Sequence, residues 1–346
     1  MRNIDFIKQP WLKFERFILH LCYLATRQYI KSRAYPKYIK KILLIRRNRL
    51  GDSINVLPII EALKKNYPSI KISVLANKYN AEIFSYSNDI NKVYCINEKW
   101  WLGRVTLYLN PIVRRLRREN FDLVIGLGGY SSMLSQISYC IKGKYSVGPK
   151  SYEGNFNDLL FDFTVKKIQG KNNLHIDEMA NIVRGARLKL PKKMPFPKLN
   201  ISVTEKMSWL AICPDVTKLK TEYPIDHYKE IIKVLSKNQK IKKIVLLVRN
   251  KNNSHIRLAR YGAQIIETRD LHDFIKHLSK CAYAIASEGG AAHIAGALGL
   301  SVCVISNIEN QIFWKPYSRN VKVFVSESGV QNIPPEIIIK GILSFG

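Results

Sequence analysis

From Lys41 onward, short β-branched or aliphatic runs alternate with longer stretches whose apolar residues recur every three or four positions. Runs of the first kind suit strands buried on both faces of a parallel sheet, and the longer stretches suit the helices that cover it. In the first half this pattern predicts strands at Ile42–Ile45, Ile70–Ala76, Lys92–Ile96 and Leu123–Ile125, and helices at Ile54–Asn66, Ala81–Ser85, Pro111–Glu119 and Ser131–Cys140. Asn110 followed by Pro111 marks a helix start, a side-chain acceptor ahead of a residue whose missing N–H costs nothing there. The second half repeats the rhythm, with strands at Leu210–Cys213, Ile244–Val248, Gln264–Ile266, Tyr283–Ala286 and Val302–Ile305 and helices at Ile225–Ser236, Leu271–Lys280 and Ala291–Leu298. Between the halves, Pro191, Pro195 and Pro197 stand among Lys192, Lys193 and Lys198, which is linker composition. The expectation is an α/β chain of two doubly wound, Rossmann-like domains, 41–189 and 206–346, joined over 190–205. Their ligand cleft should lie at the carboxyl ends of both sheets.

Ahead of this pattern, the first 40 residues carry nine Lys/Arg against two acidic residues, interleaved with Phe6, Ile7, Trp11, Phe14, Phe17, Ile18, Leu21, Leu24 and Tyr29 at helical spacing. The longest apolar stretch there is far short of the roughly 20 residues that span a bilayer, and no small-residue cleavage site follows. Amphipathicity fits both a helix lying in a membrane interface and one packed on its own domain; the aromatic and basic excess favours the interface.

Net charge changes the picture of the partners. At +30 over 346 residues, the chain should meet an anionic polymer, an anionic surface or a phosphorylated substrate. No RNP motif, zinc finger or helix-turn-helix signature appears, so nucleic acid is not the expected partner. The six cysteines stand singly, without Cys-x-x-Cys or His/Cys metal spacing, as in a reduced, cytoplasmic protein. No Asp-x-Asp pair occurs, and neither a metal nor a cofactor is expected.

Chemistry should concentrate in the loops that follow strands. In Ile45-Arg46-Arg47-Asn48-Arg49-Leu50-Gly51-Asp52, Gly51 permits a tight turn and Asp52 stands at a helix start, either capping it or facing the cleft as a base. In Ser287-Glu288-Gly289-Gly290-Ala291-Ala292-His293, a Gly pair between strand and helix lets backbone N–H groups approach a pyrophosphate. His293 is there either a ligand contact or a buried helix histidine. The loop Cys213 to Pro224 carries Lys218, Lys220, Thr221 and Tyr223, with either lysine placed for a phosphate or for water. Arg114, Arg115, Arg117 and Arg118 crowd one short helix, a solvated face or a bidentate site for a phosphorylated acceptor.

Together these loops resemble the bacterial ADP-heptose:lipopolysaccharide heptosyltransferases, glycosyltransferase family 9. The N-terminal signature is carried by Gly51, Asp52, Pro58, Tyr67 and Pro68. The donor motif is carried by Glu288 to His293, with Glu288 where an Asp is usual and Gly289 where a Thr is common. Tyr223-Pro224 matches a Lys-x-aromatic-Pro loop, although Thr221 stands at the lysine position. Weaker matches are Asp122 to Gly129, His175-Ile176-Asp177-Glu178 and Trp314-Lys315-Pro316-Tyr317. The resemblance implies a GT-B fold and metal-free, inverting transfer of a heptose from ADP-heptose to a phosphorylated lipopolysaccharide core at the cytoplasmic membrane face. It implies Asp52 as base, Lys218, Lys220, Thr221, Tyr223, Glu288, Gly289, Gly290 and His293 at the donor, and Arg49, Gly51, Arg114, Arg115 and Arg118 at the acceptor. The alternatives are another donor sugar for a surface polysaccharide, or a non-catalytic nucleotide-binding protein on this scaffold.

Overall fold

The computed structural model describes residues 33–47, 49–96, 107–128, 132–150, 156–168, 173–202, 205–215, 222–307 and 313–345, together with Ile18, Leu21 and Ala25. Among them are two six-stranded sheets. The first contains β1 (Lys41–Ile45), β2 (Lys71–Asn77), β3 (Lys92–Ile96), β4 (Leu123–Gly126), β5 (Tyr145–Pro149) and β6 (Phe163–Val165), in the order β3-β2-β1-β4-β5-β6 with every pair parallel. The second contains β7 (Met207–Cys213), β8 (Lys243–Val248), β9 (Ala263–Glu267), β10 (Cys281–Ser287), β11 (Ser301–Asn307) and β12 (Val321–Ser326), in the order β12-β11-β10-β7-β8-β9, again all parallel. Each domain is therefore wound the same way, its first strand beside its fourth. That adjacency is the switch point where helices leave in opposite directions and ligands bind.

Helices α1 (Leu50–Ile54), α2 (Leu57–Asn66), α3 (Ala81–Ser85), α4 (Pro111–Arg118), α5 (Ser132–Ile141) and α6 (His175–Gly185) belong to the first sheet. Helices α7 (Ile225–Leu235), α8 (Asn253–Ala259), α9 (Leu271–Ser279), α10 (Gly290–Ala297) and α11 (Pro335–Leu343) belong to the second. The strand runs are buried as their composition requires: Ile42, Leu43, Leu44 and Ile45 are fully enclosed. Asn110 caps α4 as expected, its Oδ1 accepting from the N–H groups of Ile112 and Val113.

The structure departs from the sequence pattern in three places. The single helix expected over Ile54–Asn66 is two helices, α1 beginning earlier at Leu50. Pro58 has no N–H to give to the carbonyl of Ile54, so the ladder stops and restarts with proline in its first turn. Strands β5 and β6 went unpredicted because Gly148 and Pro149 break one run and the other is three residues long. Strand β12 and helices α6, α8 and α11 add to the elements expected.

One apolar cluster runs through both domains, joining Ile42, Ile59, Ile60 and Val183 of the first to Ala211, Val245, Ala284 and Ala292 of the second. The connection between α6 and β7 is tied to both: Leu199 N–H donates to Ala297 O, Asn200 N–H to Tyr86 O, and Tyr317 Oη to Met194 O. The closest approach is between α1 and α10. A Cβ on Gly51 would lie 2.6 Å from Cδ2 of His293, and one on Gly290 would lie 3.0 Å from Cβ of Leu50. Two glycines, one from each domain, let these helices touch.

Gly51→Ala should accordingly destabilise the fold by about 1–3 kcal/mol, the usual cost of overpacking. Gly290→Ala should cost less, because its nearest neighbour would lie 3.0 Å away and not 2.6 Å. Urea denaturation of both variants beside the parent checks the order; a Gly51→Ala midpoint equal to the parent's would show that the helices are free to move apart.

Candidate active site

Strand β1 delivers the chain to the switch point, where Arg46 and Arg47 are still buried. Arg49 then takes φ 52, a region that side-chain-bearing residues seldom occupy, and turns the chain abruptly into α1. Its carbonyl accepts from the backbone N–H and the Oγ of Ser53 at 3.3 and 3.1 Å, which holds the turn. Asp52 consequently lies inside α1. No side chain caps that helix, so the capping role considered for Asp52 is not the one it has.

The Asp52 carboxylate is buried and doubly engaged. Oδ2 accepts from the guanidinium of Arg46, and Oδ1 lies 3.2 Å from Nδ1 of His175, within ion-pair distance but off hydrogen-bond alignment. Arg46 also donates to Leu127 O at 2.7 Å. Burial, with the Arg49 charge nearby, lowers the Arg46 pKa to about 9, which leaves it cationic at neutral pH. His175 opens α6. Its N–H donates to Phe313 O, and its ring lies against Phe313 and Trp314 of the second domain at 5.3 and 4.8 Å between centroids. Burial, and secondarily the Arg46 charge, lower its pKa to about 3, so the imidazole beside Asp52 is neutral.

Across the cleft, α10 begins at Gly290 with Gly289 before it at φ 157 and ψ −166, a combination open in practice to glycine alone. No side chain caps the helix, so the N–H groups of its first turn remain available to an anion. Glu288 accepts from Ser306 Oγ at 2.5 Å. Glu288, Gly289 and Gly290 line a cavity of about 360 Å³ together with Leu50, Asp215, Arg249, Thr268, Arg269, Asp270 and Phe274. Leu50 and Tyr79 come from the first domain, so the cavity opens between the two.

The expected site residues are only partly brought together. Glu288, Gly289 and Gly290 line the cavity. His293 does not: it is buried over Gly51 and its Nε2 is 3.1 Å from Trp314 O, so Nε2–H donates and Nδ1 keeps a buried, unpartnered lone pair. Its pKa is lowered to about 4 by burial. Gly51 is thus a domain contact where an acceptor contact was expected. Arg49 is exposed with its guanidinium 5.4 Å from the Trp314 ring. Tyr223 lines a neighbouring cavity that shares Asp215 and Arg249 with this one; its ring is buried and its hydroxyl donates to Ile333 O at 2.8 Å. Lys218, Lys220 and Thr221 lie outside the described residues.

The arginine expectation is corrected most clearly. Helix α4 runs back toward the edge where the strands begin: Glu119, at its end, accepts from Lys92, the first residue of β3, at 2.8 Å, and its carbonyl accepts from Lys41, the first residue of β1, at 3.0 Å. Arg114, Arg115 and Arg118 therefore lie toward the opposite end of the sheet from Asp52, and Arg115 stands 5.5 Å from the Tyr94 ring. A crossover helix in a parallel sheet must run this way. Arg249 and Arg269 were not singled out in the sequence, and Arg46, His175 and Asp215 stood in its motifs without an assigned role. The signal for Arg46 was a cation inside a buried strand end, and for His175 its place at the start of the crossing helix.

Two facing parallel sheets of identical winding, with a cavity between their switch points and an uncapped helix N-terminus in its wall, define the GT-B architecture. A model of glycosyltransferase family 9 (heptosyltransferase) matches residues 110–333; the chain belongs to that family. Lipopolysaccharide heptosyltransferase 3 of Escherichia coli K12 is 37% identical over 79 residues, a match that spans 22% of this chain and 23% of that protein. Among solved structures, E. coli heptosyltransferase WaaC with ADP superposes with a TM-score of 0.76 at 14% identity, over 88% of this chain and 99% of that one. A family 9 glycosyl transferase from Veillonella parvula superposes with a TM-score of 0.74 at 14% identity, over 90% and 98%. E. coli ADP-heptose lps heptosyltransferase II gives 0.70 at 17%, over 88% and 98%.

The two neutral histidines make stability depend on pH with a definite sign. Each has a folded pKa below the ordinary 6.5, so the unfolded chain binds the extra proton first, and stability falls as pH drops from about 6.5 toward 4 for His293 and toward 3 for His175. Each contributes a slope of up to about 1.4 kcal/mol per pH unit in its window. Melting temperatures at pH 7, 6, 5 and 4 should fall for the parent and fall less for His293→Asn; equal slopes would show that His293 is not held neutral.

Proposed function

We infer that the chain is an inverting glycosyltransferase that moves a heptose from ADP-heptose to a hydroxyl of a phosphorylated lipopolysaccharide core. One observation carries this reading. A buried carboxylate, Asp52, is fixed at the switch point of one domain while the uncapped N-terminus of α10 stands at the switch point of the other, with Leu50 and Gly290 in contact between them. Base and anion cradle are thereby held together.

In this reading the donor diphosphate sits on the N–H groups around Gly289, Gly290 and Ala291, with Arg249 and Arg269 in the same cavity wall. The acceptor hydroxyl approaches Asp52, which takes its proton as the oxygen attacks the anomeric carbon from the face opposite the leaving ADP. Arg46 fixes one carboxylate oxygen and so orients the other. The neutral state of His175 keeps a second positive charge away from the base. Glu288, anchored by Ser306, is placed for hydroxyls of the donor sugar. Lys218 and Lys220 remain candidates for the diphosphate.

Transfer from radiolabelled ADP-heptose to truncated lipopolysaccharide cores should be catalysed by the parent protein. Asp52→Asn should lower kcat by about 10²–10⁴-fold, the usual contribution of a general base, and leave ADP binding within a few-fold. Transfer by the variant at the parental rate would remove Asp52 from the chemistry. ADP binding without transfer to any core would favour another donor sugar or a non-catalytic protein.

A further inference from the structure

The turn between β2 and α3 holds a tyrosine at the cavity. In Asn77-Lys78-Tyr79-Asn80 both asparagines spend their side chains on the backbone and on neighbouring segments. Asn80 Oδ1 accepts from Asn77 N–H at 2.9 Å, and Asn77 Oδ1 accepts from Tyr79 N–H at 2.9 Å. Asn80 Nδ2 donates to Arg46 O at 3.1 Å and to Ser53 Oγ at 2.7 Å, and Asn77 Nδ2 donates to Arg47 O. The turn is thereby fastened to the end of β1 and to α1, the helix that carries Asp52. Tyr79 itself is 70% exposed and lines the cavity between the domains. A lone exposed aromatic is ordinary on a protein surface. Here the backbone beneath the ring is fixed by its neighbours' side chains, and the ring forms part of a cavity wall.

The rest of that wall changes character along its length. The second sheet runs β10-β7-β8-β9 beneath it, with Gly289 and Gly290 following β10 and the half-buried Leu271 and Phe274 following β9. Three strand spacings, about 14 Å, separate the two ends. Leu247 and Val248, the last residues of β8, continue the apolar wall between them. Helix α3 brings the first domain to the apolar end. Tyr86, which follows α3, has its Oη 2.7 Å from Nδ1 of His272, and the two rings are parallel within 7°. His272 stands between Leu271 and Phe274 in α9, and α3 starts two residues after Tyr79.

We propose that Tyr79 is a donor-binding residue contributed by the first domain: its ring closes over the base of a nucleoside diphosphate whose phosphates rest on the N-terminus of α10. The nucleotide is then gripped by both domains. The proposal rests on the reading of this cavity as the donor site. Leu247, Val248, Leu271 and Phe274 offer hydroxyls no partner, and burying a sugar against them would cost free energy. The face of a base has no such need, and it stacks on an aromatic ring. Because every base has that face, Tyr79 adds affinity without choosing among bases. A ligand made of phosphates alone does not meet it.

The test is isothermal titration calorimetry of the full chain with ADP and with pyrophosphate. Tyr79→Ala should weaken ADP roughly 5- to 150-fold, the range of one base–aromatic stack, and leave pyrophosphate unchanged. Tyr79→Phe, which keeps the ring, should bind ADP as the parent does. Both variants should keep the parental melting temperature, since the side chain is exposed. An unchanged ADP affinity in Tyr79→Ala, or an equal loss for pyrophosphate, would overturn the assignment. So would a loss confined to the acceptor KM in transfer assays, which would give Tyr79 to the other substrate. Transfer that fails with every core while ADP binding still depends on Tyr79 would remove the proposed reaction and keep this inference.

Discussion

Much of the molecule is arranged around one buried ion pair. Arg46 and Asp52 are both withdrawn from water, and each ion so placed costs several kcal/mol, to be offset only by good geometry and further hydrogen bonds. The offset comes from parts of the chain far apart in sequence. Leu127, after β4, accepts from Arg46. His175, from the helix that leaves the first domain, closes over the second carboxylate oxygen. Trp314, from the second domain, covers His175 and accepts from His293. Both histidines are neutral because burial disfavours their charged forms, and at His175 the Arg46 charge adds to the effect. A polar group that only two domains together can enclose ties the site to the domain contact.

The fold was largely legible because buried parallel strands announce themselves as unbroken aliphatic runs. The misses have local causes. Pro58 divides a helix whose apolar pattern continues through it, and β6 is too short to show a pattern. The site was legible only where chain geometry forces a residue type: Gly289 at φ 157, Gly290 against Leu50, and Asp52 just past a strand. The roles of Arg46 and His175 were not legible, because Leu127 beside the one and Asp52 and Trp314 beside the other lie far away in sequence. The hydroxyl of Tyr223 was not legible, because an aromatic beside proline looks the same whether it meets a ligand or the carbonyl of Ile333.

The arginines of α4 hold a different lesson. Val113 and Leu116 fix which face of the helix is buried, and that much the spacing of apolar residues told. The end of the sheet to which the last turn points is set by parallel topology, not by residue type. Once the strands are known to be parallel, any crossover helix must return its last turn to the edge where the next strand starts. The cations of the cavity wall, Arg249 and Arg269, are thus separate from those of α4.

The paired glycines at the α1–α10 contact have a mechanical consequence. Gly51 lies under the His293 ring and Gly290 lies against Leu50, so each helix meets a side chain of the other with bare backbone. Sliding by one residue would drive a Cβ into the opposing helix. A side chain longer than glycine's hydrogen on either helix would therefore push apart the two walls of the cleft, so its width is set by two missing methyl groups.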